Sequence, residues 1–172
     1  MQCNLILNLA NSIWFTKHKD IDVLSDIKWI NENLNNSDNL LVSYPSSEFV
    51  ATINVVRNIV ISIFEGYLIN DQIDFLNNCL KKATFYNQLS VMENKPKIQM
   101  ISTSSMEDRI IAMIIIELTK SINNDLIPKI RKCGVEDCQF YFLDKSKNQN
   151  KKYCSIKCNN VAKVRRFREK NR

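Results

Sequence analysis

The chain has 172 residues, with 24 Lys+Arg against 18 Asp+Glu, and 45% of it is hydrophobic. That is the balance of a folded globule, not of a disordered segment. Its two glycines, Gly66 and Gly134, cannot write a GxGxxG or Walker A phosphate loop, and its one histidine, His18, excludes HExxH and multi-histidine metal centres. The net charge of +6 is divided: residues 1–130 sum to −3 and residues 131–172 to +9. An acidic body followed by a basic C-terminal quarter predicts two modules, the second facing a polyanion.

The N-terminal residues carry no basic n-region, and asparagines interrupt their apolar run, so no secretory signal is expected. The longest pure apolar run, Ile110 to Ile116, is far shorter than a membrane span, and the expected location is cytoplasmic. Ile6, Leu9, Ala10, Ile13 and Trp14 share one helical face. Val23, Leu24, Ile27, Ile30 and Leu34 form a second stripe, for which Asp20 or Asp22 is the expected N-cap. Asn35 to Asn39 is a polar break. Pro45-Ser46-Ser47-Glu48 opens a long helix with a stripe of Phe49, Ile53, Val56, Val60 and Phe64, ending near Gly66. Asn70-Asp71 starts another, carrying Ile73, Leu76 and Leu80. Glu93-Asn94-Lys95-Pro96 then reads as the turn of a two-stranded hairpin between Tyr86–Met92 and Lys97–Thr103. Ser104-Ser105-Met106-Glu107 has the form of a capping box before an apolar helix through Ile110, Ile114, Leu118 and Ile122, which Asn123-Asn124-Asp125 ends. The fold expected is mainly α with a small β-hairpin. A helical domain over 1–127 precedes a four-cysteine zinc finger over 128–172, built of two knuckles and a basic helix.

The finger rests on Cys133-x4-Cys138-x15-Cys154-x3-Cys158. Tetrahedral zinc takes four ligands, and two close pairs supply them with a single loop closure. The second pair is one helical turn apart, so both sulfurs lie on one helix face. A helix starting near Ser155 brings its free N–H groups towards the thiolates. Lys132, Lys152 and Lys157 adjoin the ligands and offset the charge of the cluster. Cys3 and Cys79 lie on other predicted helices and are expected to be packed thiols.

Cys138-Gln-Phe-Tyr-Phe-Leu-Asp-Lys-Ser, Lys151-Lys152-Tyr153-Cys154-Ser155-Ile156 and Cys158-Asn159-Asn160-Val161-Ala162-Lys163 together resemble the CGNR zinc finger. Asn159 and Val161 stand where that motif has Gly and Arg, while all four cysteines are kept. Upstream, Leu7 to Trp14, Leu24 to Ile30, Arg57 and Leu76-Asn77 resemble the ABATE domain often fused to such fingers. The resemblance implies a transcription regulator of a family sometimes described as stress-induced.

The basic residues point to nucleic acid independently. Lys163, Arg165, Arg166, Arg168 and Lys170 follow the last cysteine, and Lys151 and Lys152 precede the third. Clustered cations on a zinc-anchored helix are the footprint of phosphate-backbone binding. Helical spacing is expected to set Val161, Val164 and Phe167 against the finger, with Lys163, Arg166 and Lys170 on the opposite face. The reading is a zinc-dependent DNA-binding regulator, with a body that dimerises or takes a small-molecule effector. The alternatives are an RNA- or ribosome-associated zinc protein and a redox-sensing or protein-interaction module. No catalytic constellation is present, and four thiolates leave zinc no open position for hydrolysis.

Overall fold

A computed structural model describes residues 4–15, 20–34, 44–92 and 94–171. Cys3, His18 and the polar break at 35–39 lie outside them. The elements run α1 (Asn4–Ala10), β1 (Ile13–Phe15), β2 (Asp20–Asp22), α2 (Ile27–Asn33), α3 (Ser47–Phe64), α4 (Asn70–Lys82), β3 (Phe85–Met92), β4 (Lys95–Ser102), α5 (Met106–Asn123), a 3-10 turn at Ile127–Lys129, β5 (Ile130–Lys132), β6 (Tyr141–Leu143) and α6 (Ile156–Lys170). The chain is mostly helical, with three separate two-stranded antiparallel sheets among the described residues.

Helices α1, α3 and α5 pack on one another, and α4 lies against α5. Their core holds Ile6, Leu9, Phe49, Ile53, Val56, Val60, Ile110, Ile114 and Leu118. Ser46 caps α3 by accepting from Phe49 N, and Gly66 ends it at φ +85°. There Gly66 N donates to Ile63 O and Tyr67 N to Ser62 O, a Schellman ending that needs the left-handed conformation. α3 is long and apolar enough to cross a membrane by length and composition alone. In the fold, its apolar face forms the centre of the core, and it also carries the buried Arg57.

Two sequence expectations change in the first 34 residues. Ile13 and Trp14 are not on the first helix but on β1, paired with Asp22 and Ile21. The reason is tertiary: Ser12 accepts from the Arg57 guanidinium and from Val23 N, and Asn11 bonds to a distant strand, so the chain leaves the helix at these two residues. The N-cap of α2 is Asp26, which accepts from Lys28 N and Trp29 N, rather than Asp20 or Asp22. Asp20 and Asp22 lie on β2, and Asp22 receives a bidentate bond from Arg57 at 2.9 and 2.8 Å. Burial pushes the Asp22 carboxyl up, but the Arg57 bond and Leu24 N hold it below the usual carboxylate range.

The helix expected after Ser104 is α5, capped by Ser105 with Asp108 as its partner. Glu107 instead reaches across to accept from Ser46 N and Ser46 Oγ, tying the starts of α3 and α5 together. The expected hairpin is β3–β4, with Asn94 at φ +58° in its turn. Pro96 belongs to β4 rather than to the turn, opposite Val91. One face of this ribbon carries Leu89, Val91, Pro96 and Ile98, all exposed.

Candidate metal centre and nucleic-acid interface

The strand pair β5–β6 joins the finger to the helical body. Ile130 and Tyr141 belong to the same buried cluster as α1, α3 and α5. The Asn11 carboxamide donates to Tyr141 O at 2.9 Å and accepts from Tyr141 N at 2.7 Å, satisfying a strand edge with a side chain. Tyr141 donates its hydroxyl to Glu65 at 2.7 Å, and its ring meets Phe64 at 5.6 Å. Burial, and then this carboxylate, push the Tyr141 phenol well above its ordinary value.

β6 delivers Asp144 to the start of the loop that returns to the third cysteine. Asp144 is 1% exposed, and it accepts from Ser146 Oγ, Ser146 N and Lys151 N, with Arg131 at 3.7 Å. The Ser146 hydroxyl first, then these N–H groups and Arg131, hold its carboxyl below the usual range. Asp144 and Ser146 therefore shape the turn that leaves β6. The hairpin itself pairs 130–132 with 141–143, with both cysteines of the first pair between or beside its strands.

Gly134 N then donates to Lys152 O at 2.8 Å, closing the first cysteine pair onto the approach to the second. A Cβ on Gly134 would stand 3.1 Å from that same Lys152 oxygen, so glycine suits this close approach best. α6 begins where the sequence places it. Ser155 is its N-cap and accepts from Cys158 N.

These elements bring together all four expected ligands. The sulfurs of Cys133, Cys138, Cys154 and Cys158 lie within 4.8 Å of one another. Cys138 and Cys154 are 3.8 Å apart, and Cys154 and Cys158 3.5 Å. Ligands ~2.3 Å from a tetrahedral ion sit about 3.8 Å from each other, so the cluster has the size zinc requires. Burial raises the Cys133 thiol, but the backbone N–H groups of Cys154 and Val135 together with the Cys138 and Cys154 side chains leave it below its ordinary value. Burial, and then Cys158 and Cys133, push Cys154 strongly up. Four sulfurs this close ionise together only around a cation. Zinc bound here would carry a closed shell of four thiolates, a structural rather than catalytic arrangement. The four ligands and Cys79 are free of disulfides, and Cys79 is a packed thiol on α4, as expected.

The expected nucleic-acid contacts divide into two groups. Lys163, Arg168 and Lys170 are exposed on α6, and among the described residues none of them forms an ion pair. Lys152 is exposed beside the cluster, and Lys151 is exposed with its ammonium 5.3 Å from the Phe142 ring. Arg165 and Arg166 are held by the finger itself. Arg165 pairs with Asp137, and Arg166 donates to Ala162 O and towards Tyr153 Oη. Sequence reasoning does not single out Asp137; its one signal is an acidic Glu136-Asp137 step inside a strongly basic module.

The packing of α6 also differs from expectation. Val164 and Phe167 do not seat on the finger; they are 48% and 70% exposed, and no residue of α6 is buried. The ligand Cys158 decides which face turns inward, and Ala162 and Arg165 share that face at i+4 and i+7. Val164 and Phe167 therefore point outward.

A cleft lies between the starts of α3 and α5 and the end of α4. Its polar groups pair among themselves: Ser46 with Glu107, Lys82 with Glu48, Ser105 with Asp108.

No curated protein matches the chain. Residues 129–171, which hold the four sulfurs and α6, match the family model of the CGNR zinc finger, and the cysteine cluster with this match makes zinc the metal of the site.

Proposed function

We propose that the chain is a zinc-dependent DNA-binding transcriptional regulator, in which the zinc cluster fixes α6 and α6 meets the phosphate backbone. One observation carries the reading. A 15-residue helix anchored by a zinc ligand exposes Lys157, Lys163, Arg168 and Lys170, with Lys151 and Lys152 beside its start. Cations fixed on a rigid element lose little entropy on meeting phosphates and release condensed counterions. In this reading the two cysteine pairs are the two knuckles of the finger, and residues 1–127 form the dimerisation and effector part. The exposed apolar face of β3–β4 supports dimerisation, because a two-stranded ribbon needs a covering surface for stability. The closed thiolate shell supports a binding role over an enzymatic one, and the free thiols fit a cytoplasmic protein.

The test is a gel-shift comparison of duplex DNA and RNA with the full zinc-loaded chain, with and without chelator. Duplex DNA is expected to shift, and chelator to abolish the shift. Binding to RNA alone would assign the finger to RNA, and binding to neither at low salt would make it a protein-interaction module.

A further inference from the structure

The outward face of α6 is not uniformly basic. Ile156, Asn160, Val164 and Phe167 follow at i, i+4, i+8 and i+11, a spacing that lines up on one side of a helix. All four are exposed, Ile156 at 81%. Lys163 and Lys170 flank this ridge on one side, and Lys157 and Arg168 on the other. An apolar ridge broken by one carboxamide and bordered by cations on both sides is thus the surface that the finger presents to solvent.

We propose that α6 is a recognition helix for A·T-rich duplex DNA, with Ile156, Val164 and Phe167 against thymine methyl groups and Asn160 on adenine. This inference rests on the DNA reading above. A helix with its side chains is about 10–12 Å across and the major groove about 12 Å wide. With the ridge facing the groove floor, the two flanking pairs of cations lie towards the phosphates of the two strands. On the floor, only thymine offers a methyl group, and adenine offers an acceptor beside a donor that a carboxamide matches with two hydrogen bonds. Guanine is read by arginine forks, and here the finger keeps Arg165 on Asp137 and Arg166 on Ala162 and Tyr153, away from the ridge. An anionic membrane is the other surface that would attract a basic amphipathic helix. It calls for a broad apolar face, whereas this one is three side chains interrupted by Asn160.

The test uses the whole zinc-loaded chain and fluorescence anisotropy at fixed salt. Three duplexes of equal length are compared: A·T-rich, the same duplex with deoxyuridine for every thymidine, and G·C-rich. Deoxyuridine removes only the methyl groups, and the expected loss is about tenfold in affinity. The G·C duplex is expected to bind more weakly still. Ile156→Ala, Val164→Ala and Phe167→Ala together should abolish the difference between the thymidine and deoxyuridine duplexes while zinc content and salt dependence stay unchanged. Asn160→Ala should narrow the A·T preference about tenfold. Equal binding of the thymidine and deoxyuridine duplexes, or a preference for G·C, overturns the inference but leaves DNA binding standing. Absence of binding to any duplex overturns both readings. Phosphatidylserine vesicles that bind through Phe167 and displace DNA would assign the ridge to membrane instead.

Discussion

Removal of zinc is expected to melt α6 and leave the helical body folded. Apart from Ile130 and Tyr141, which pack into the core of the body, the finger's buried apolar side chains other than cysteine are Val135 and Phe142. Burial of each contributes about 1.5–3 kcal/mol. A structural zinc site contributes about 10–16 kcal/mol at neutral pH, so the metal outweighs the apolar burial roughly twofold or more. Helix α6 buries none of its residues and is held through Cys158, the Ser155 cap and the Arg165–Asp137 pair. A lone 15-residue helix of this composition is marginal in water. Chelation, or Cys154→Ser, should therefore remove about a fifth of the helical ellipticity, the share of α6 among the helices. The body should still melt cooperatively, because Tyr141 is held by Asn11 and Glu65 of the body. The assay is far-UV circular dichroism with metal analysis and amide exchange. Full protection of α6 amides in chain shown to be zinc-free would mean that the helix stands without the metal.

Arg57→Met removes the bidentate bond to Asp22, whose side chain is 42% exposed and rehydrates, so the expected loss in urea denaturation is about 1–3 kcal/mol, and the paired change to apolar residues should cost less. Because the Asp22 carboxyl is depressed in the fold, its contribution is full above the unfolded carboxylate pKa and is lost as pH falls through the lower folded value; Asp22→Asn should flatten that acid limb. Asp144→Asn keeps the shape but weakens the Ser146 and Lys151 bonds, so loop 145–152 should lose exchange protection and zinc affinity should fall. Leu89→Lys with Ile98→Lys should turn a dimer into a monomer in analytical ultracentrifugation without changing the circular dichroism spectrum.

The metal centre is the most legible part of the chain, because ligand chemistry fixes residue type and spacing together. The long helices are also legible: α3 begins and ends where Ser46 and Gly66 place it, and α5 starts one residue later than the expected box, capped by Ser105 and Asp108 because Glu107 is taken by Ser46. Legibility fails where a distant partner decides the local structure. Nothing near Asn11 and Ser12 announces Tyr141 and Arg57, so the apolar spacing through Ile13 looks like more helix where the chain forms a strand. Helical spacing places Val164 and Phe167 on one side of α6 but does not say which side, since the ligand Cys158 sets the inward face. Asp137 and Arg165 are 28 residues apart, and their pairing emerges only once the two cysteine pairs have met.

If α6 carries the contact with nucleic acid, its exposed cations set the salt dependence of duplex binding. Log K against log salt is to be measured for the full zinc-loaded chain and for Lys163→Ala, Arg168→Ala and Lys170→Ala combined. Six phosphate contacts give a slope of about −5, and the triple variant should reduce it by roughly three contacts' worth while retaining zinc. A slope unchanged by the triple substitution would place the nucleic-acid contact away from α6.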